Sequence, residues 1–399
     1  MGTTAAVRTV GGAVRRRGGG RGATALLVLG ITCCSTPPDA PAADAPDLAR
    51  RITTTVERVM NERRVPGAVV GLAVGQRWSV QHAYGWRDLE QHVPMTVDTL
   101  FPVGSITKPI TTAALATLIE RGELSWETPL RDALAVTPPL PDAAGALTLR
   151  QLAAHTSGLP MQPENWTPPE RAGPAAAATP SAAAYSGSDL LAALRHVALA
   201  PAAANRCNYS NFGSALLGLV VERVSGRPFG AALAELVFAP IGMGESGVDP
   251  DAAAAARMTR GYAWGERRLV AQERHSFGDL AAVGGVYSSA SDLLRFCAAQ
   301  IDGGPWRRET LADLHRPIAK VPGFTGRAAT TGWFLEQIPG FGPLLAHVGE
   351  IDGVSSCVAL DLDTGTALVV LANSDGNAAE LIARALMQQL ARSDGTWRL

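Results

Sequence analysis

Ser105 and Lys108 stand three residues apart at the head of an apolar run that includes Ile110, Ala113, Leu115, Leu118 and Ile119. On a helix, positions i and i+3 share a face with their Cβ atoms about 5–6 Å apart. Pro109 fits only near a helix start, so the pair is predicted in or just before the first turn. A serine hydroxyl is a poor nucleophile until a base removes its proton. A lysine in an apolar, partly desolvated place has its charged form disfavoured and serves as that base. The helix N-terminus adds free backbone N–H groups for a developing oxyanion. Alone, the spacing equally describes a capped helix with a surface lysine. Two further motifs follow in order. Tyr209-Ser210-Asn211 precedes an apolar helical run; a phenol beside an amine relays a proton to a leaving group, and an asparagine amide holds a substrate carbonyl or the lysine itself. His347-Val348-Gly349 ends the run PLLAH, as on a strand edge facing a cleft, where the glycine admits a substrate backbone. Taken singly, a capped turn and a structural histidine are the favoured explanations of these two.

Such side chains need a frame. Residues 46–64 place Leu48, Ile52, Val56 and Met60 at helical spacing, and Pro66-Gly67 stops that helix. Residues 68–75 and 78–84 are predicted as a strand pair around Gly75-Gln76. Residues 355–361 and 366–372 form another around Asp363-Thr364-Gly365, and a helix over 379–392 follows. The middle is mostly helical, with candidates at 110–121, 188–199, 212–225, 229–237 and 290–301. This order predicts an α/β (α+β type) unit made from both chain ends, with a helical unit inserted over roughly 110–285. The Pro/Ala-rich stretch 163–184 breaks the pattern as a surface loop or insertion.

The chain has 399 residues, 47% of them apolar, and a formal net charge of −1. That is ample for a core and leaves no electrostatic footprint for nucleic acid. Five cysteines without a CxxC pair or zinc spacing argue against a structural metal and a disulfide scaffold. Cys207, Cys297 and Cys357 are expected as small buried hydrophobes. The chain lacks G-x-S-x-G, HExxH and a phosphate-binding G-x-x-x-x-G-K. Arg8, Arg15, Arg16, Arg17 and Arg21 precede the short apolar run 23–32, so 1–34 is expected to be an export signal. Cys33 or Cys34 is placed as in a bacterial lipoprotein, which makes a lipid tether one expectation and an ordinary cleaved signal the other. Residues 35–47 are Pro/Ala/Asp-rich and fit an extended tether. On this reading 48–392 is the catalytic domain and 393–399 a tail.

With the three motifs come His155-Thr156-Ser157-Gly158-Leu159-Pro160 and Ala282-Val283-Gly284-Gly285-Val286-Tyr287-Ser288. Together they make the sequence, over about 46–392, resemble the serine β-lactamase and penicillin-binding-protein superfamily. The resemblance is to the branch holding class C β-lactamases, D-alanyl-D-alanine carboxypeptidases and related esterases. It implies a β-lactamase/transpeptidase-like fold with an antiparallel sheet, Ser105 as the acylated nucleophile, and Lys108 and Tyr209 sharing its proton. It also implies that Asn211 orients the substrate amide or the Lys108 ammonium, that His347 and Gly349 flank the substrate, and that the backbone N–H groups of Ser105 and Glu350 form an oxyanion hole. His155, Gly284 and Gly285 are expected to shape the site. No metal or cofactor is implied; the partner is a small-molecule or peptide substrate, and nothing argues against a monomer. Relatives carry a hydroxyl where Val348 stands, and Glu350 adds a negative charge nearby, which disfavours a carboxylate-bearing substrate. Strand alternation would turn Glu350 to the face opposite His347 and Gly349. The expected activity is on an ester or amide bond, carboxylesterase-like or D-Ala-D-Ala-carboxypeptidase-like, with an ester, or an amide without a terminal carboxylate, as the expected substrate. The alternatives are a class C type β-lactamase and a non-catalytic sensor of penicillin or cell-wall peptide.

Overall fold

The segments GAVVGLAV, VSSCVALD and TALVVLA are almost without polar alternation, as expected of strands covered on both faces. A computed structural model describes residues 45–74, 78–166, 185–200, 206–266, 268–338 and 341–391. Its strands are β1 (Gly67–Val74), β2 (Trp78–Asp88), β3 (Val93–Pro94), β4 (Phe101–Pro102), β5 (Gly261–Trp264), β6 (Leu269–Gln272) and β7 (Tyr287–Ser288). They continue with β8 (Ala319–Lys320), β9 (Arg327–Ala329), β10 (Phe334–Gln337), β11 (Pro343–Ile351), β12 (Val354–Asp361) and β13 (Thr366–Ala372). One nine-stranded antiparallel sheet has the order β3-β2-β1-β13-β12-β11-β10-β9-β8.

Successive side chains of these strands point to opposite layers. On one face Val70, Leu72, Leu368 and Val370 pack against Leu48, Ile52 and Val56 of the helix Ala45–Arg63 and against Ile382 and Leu386 of the helix Ala378–Leu390. On the other, Val69, Val358, Val369 and Leu371 join the core of the helices Thr107–Glu120, Asn211–Ser225 and Ala290–Asp302. The helix Thr107–Glu120 lies in the middle of that layer, with every residue from Thr107 to Ala116 buried. Burial on all sides is why its sequence is apolar on every face, and it gives Lys108 a dry environment.

The sheet built from both chain ends, flanked by helices, is the predicted architecture. Four details differ. Strands β8, β9 and β10 widen the sheet from residues 319–337, and at two to four residues each they are too short to show periodicity. The insertion is not purely helical: β5 pairs with β6, and β4 with β7. The helix expected over 229–237 ends at Leu233 and continues as a π-helical turn, Ala234–Phe238. Residues 45–47, expected in the tether, begin the first helix. The leader 1–44, the Gly75-Gln76 turn, residues 167–184 and the tail from 392 lie outside the described residues. Among the described residues no helix is long and apolar enough to cross a membrane, and Cys207, Cys297 and Cys357 are buried free thiols.

Candidate active site

A 3-10 turn, Gly104–Ile106, delivers Ser105 to the start of the helix Thr107–Glu120. Gly104 has φ +51°, a left-handed conformation that favours glycine. The turn sits on β11. A Cβ on Gly104 would lie 2.9 Å from the Glu350 nitrogen; one on Gly349 would lie 2.2 Å from the Val103 carbonyl oxygen and 2.9 Å from the Ser105 nitrogen. The clearance that Gly349 provides is therefore filled by the protein's own serine turn, where the sequence suggested a substrate backbone. Ser356 Oγ donates to the Val103 carbonyl at 2.8 Å. From the opposite side, Val103 N donates to Val286 O at 2.9 Å and Val286 N to Thr107 Oγ1 at 3.1 Å. A Cβ on Gly284 would lie 3.4 Å from the Gly104 carbonyl carbon, so the Gly284-Gly285 segment packs closely on the same turn. Gly349→Ala is expected to displace Ser105 and lower kcat by about a hundredfold, the cost of a misplacement near 1 Å. Steady-state kinetics on folded variant checks this; an unchanged kcat contradicts it.

Lys108 is 3% exposed. Its Nζ donates to the Val283 carbonyl at 2.7 Å, lies 3.0 Å from Ser105 Oγ, and sits 5.0 Å from the Tyr209 ring centroid. Desolvation lowers its pKa to about 7, so neutral amine is abundant at neutral pH. Val283 was not legible as a partner, because any residue type supplies a carbonyl.

Tyr209 donates its hydroxyl to Ser105 Oγ at 2.8 Å. Burial raises its pKa, so the phenol stays protonated. Its ring packs on His155 at 4.5 Å and Phe334 at 6.4 Å between centroids. His155 Nδ1 accepts the Ser210 N–H at 3.2 Å, and burial, with the Lys108 charge, lowers its pKa to about 3. The imidazole is thus a neutral support for the tyrosine turn, the shaping part expected of it. Ser210 caps the helix Asn211–Ser225: its Oγ accepts from Gly213 N at 3.0 Å and donates to Pro160 O at 2.7 Å. Asn211 begins that helix on the cleft wall, and its Oδ1 has no partner among the described residues, Lys108 included.

His347 is 2% exposed, lies 5.4 Å from Phe334 between ring centroids, and donates from Nδ1 to its neighbour's carbonyl, Val348 O, at 2.8 Å. Burial, then the Lys108 charge, holds its pKa well below the usual value. The ring is neutral and packs beneath the site instead of lining the cleft. Val348 faces the layer of the two terminal helices, so its lack of a hydroxyl is not presented to the nucleophile. The Glu350 carboxylate also turns away, accepting Asn377 N at 2.9 Å and Gly376 N at 3.4 Å ahead of the helix Ala378–Leu390. There it opposes the positive end of the helix dipole. Its backbone has another direction. Ile351 and Val354 close a two-residue Asp352-Gly353 hairpin with φ +50° and +71°. In that register Glu350 faces Ser355 as a non-hydrogen-bonded pair, and its N–H points off the β12 side. β10 ends opposite Ala346, so no strand takes it up there.

Ser105 opens into a cleft of about 440 Å³ whose wall includes Gln162, Trp166, Asn211, Phe277, Asp352 and Asp375. Among the described residues no group of three metal-ligating side chains is present. Gln162 stands two residues after HTSGLP, and Trp166, Asp352 and Asp375 lie in turns; the sequence singled out none of the four.

The comparisons fit this geometry. The Beta-lactamase family matches residues 52–392. Esterase EstB of Burkholderia gladioli is 35% identical over 223 residues, covering 54% of this chain and 56% of its own. Penicillin-binding protein 4* of Bacillus subtilis is 25% identical over 349 residues, 82% of this chain and 72% of its own. The first curated relatives are thus matched over about half to two thirds of their length, 56% and 66%. A class C β-lactamase from Rhodobacter sphaeroides superposes with TM-score 0.69 at 25% identity, covering 86% of this chain and 100% of that one. The octameric penicillin-binding protein homologue from Pyrococcus abyssi superposes with TM-score 0.72 at 24% identity, covering 86% and 77%. With a serine, a buried amine and a phenol in contact on this fold, the chain belongs to the Beta-lactamase family.

Proposed function

We propose that this enzyme hydrolyses carboxylic esters, or amides without a free carboxylate, through an acyl-enzyme on Ser105. The observation that carries the reading is the double contact on Ser105 Oγ, 3.0 Å to Lys108 Nζ and 2.8 Å to the Tyr209 hydroxyl. Neutral Lys108 takes the serine proton as Oγ bonds to the substrate carbonyl carbon. The carbonyl oxygen, now negative, is received by the N–H groups of Ser105 and Glu350. The tetrahedral centre collapses and the leaving oxygen departs with the Tyr209 proton, which the Lys108 ammonium replaces. Water then attacks the acyl carbon and gives its proton to Lys108 through Tyr209; as the tetrahedral centre collapses, Lys108 returns that proton to the departing Ser105 Oγ and the acid leaves. Asn211, with its free Oδ1, accepts a hydrogen bond from the substrate.

Three features favour an ester over a penicillin. The cleft wall carries no lysine or arginine to meet a carboxylate among the described residues. His347, where a cation would serve that purpose, is neutral and buried. One curated relative is an esterase. Purified protein is expected to turn over a p-nitrophenyl butyrate ester at least tenfold faster, by kcat/KM, than a chromogenic cephalosporin. The reverse ratio sinks the ester reading and supports a β-lactamase.

A further inference from the structure

The cleft that holds Ser105 carries a carboxylate, Asp375, that makes no ion pair among the described residues. Three acidic residues line its wall, Glu350, Asp352 and Asp375, against one base, His275. Two of the carboxylates are satisfied by the protein. Glu350 takes the N–H groups of Gly376 and Asn377. Asp352 accepts the His275 backbone N–H at 2.8 Å and its ring Nδ1 at 2.7 Å. Asp375 receives only backbone donors. Burial and the neighbouring charge of Glu350 both push its pKa up, so a positive charge placed against it would relieve two costs together. Arg63 and Arg64 line a second surface hollow together with Asp375; among the described residues neither forms an ion pair with it, and the Arg64 guanidinium rests 5.5 Å from the Trp264 ring centroid. Lys108, deeper in the site, is committed to Ser105 and Val283.

We infer that substrates of this cleft carry an ammonium group, which Asp375 receives while Ser105 attacks the ester or amide carbonyl, and that substrates with a free carboxylate are disfavoured. The inference rests on the proposed acyl-transfer role of Ser105 and specifies its substrate class. Opposite charges in a partly desolvated cleft attract more than in open water, and a like charge there is excluded by the same field. A cleft of about 440 Å³ suits a small aminoacyl or aminoalcohol ester.

Two substrate pairs test it, one for each side of the scissile bond. On the acyl side, the p-nitrophenyl ester of aminocaproate is compared with that of heptanoate, and with the adipate monoester as the anionic member. On the alcohol side, butyrylcholine is compared with its uncharged dimethylbutyl isostere. The cationic member of at least one pair is expected to have kcat/KM about tenfold above its neutral partner, a preference that added salt weakens. Asp375→Asn is expected to bring the ratio close to one, Asp375→Glu to retain most of it, and Asp375→Lys to favour the adipate ester. The ratio within one preparation is independent of how much of a variant is folded. Wild-type ratios near one, or a preference that survives Asp375→Asn, overturn the inference while neutral-ester turnover leaves the hydrolase reading standing. Absence of turnover with every ester overturns both.

Discussion

Ser105→Ala is expected to reduce ester turnover by on the order of ten-thousand-fold or more, the scale on which covalent catalysis fails when its nucleophile is removed. The methyl group has no lone pair to attack with, and neither Lys108 nor Tyr209 is placed to substitute. The loss should fall on kcat, because the cleft wall is otherwise unchanged. Folding should be little affected: Ser105 Oγ contacts Lys108 and Tyr209, and removing it leaves one phenolic hydroxyl without its acceptor, worth about 1–3 kcal/mol at most. A melting curve close to that of wild type, alongside abolished p-nitrophenyl butyrate hydrolysis, is the expected pair of results. Retention of more than a few per cent of wild-type kcat would remove Ser105 from the mechanism.

Lys108→Met is the second large effect. Methionine matches the length and volume of the stem but cannot accept a proton, so turnover should fall about a hundred- to ten-thousand-fold. Stability should hold or rise, since a 3% exposed amine carries a desolvation cost that a thioether does not. The wild type gives a second readout. On the proposed mechanism the reactive form of Lys108 is the neutral amine, and desolvation brings its pKa down to about 7. Below that pH the ammonium has no lone pair for the serine proton, so kcat/KM should fall about tenfold for each further pH unit and level off above it. Tyr209 does not supply this limb, because its pKa is raised. A flat acid limb across this range, or a Lys108→Met variant that keeps wild-type kcat, would exclude the amine as base.

The parts of the fold that were legible in the sequence are those where burial is continuous. The apolar runs of β1, β12 and β13, the helical spacing of Leu48, Ile52 and Val56, and the closing helix Ala378–Leu390 announce a sheet covered on both faces. Strands β8 to β10 did not, because two to four residues carry no period. The meeting of Ser105, Lys108 and Tyr209 was legible because the chemistry proposed for them needs particular side chains in a particular order. The scaffolding around it was not. The Lys108 acceptor is a backbone carbonyl, and the Gly349 clearance serves a turn that meets β11 only in three dimensions. His347 looked like a substrate contact by spacing, but it lies under Phe334. Glu350 looked threatening by charge, yet strand alternation sends its carboxylate to the helix start at Asn377 while its N–H stays on the site side. Asp375 lies just past β13, where sequence offers no cue that the turn returns to the cleft.

The central claim is that a covalent acyl group forms on one oxygen. Intact-protein mass spectrometry after incubation with a fluorophosphonate, followed by peptide mapping, reads this directly. A single adduct is expected on the peptide containing Ser105, absent from Ser105→Ala and slowed in Lys108→Met. An adduct mapped to any other side chain, or equal labelling of Ser105→Ala, would contradict it.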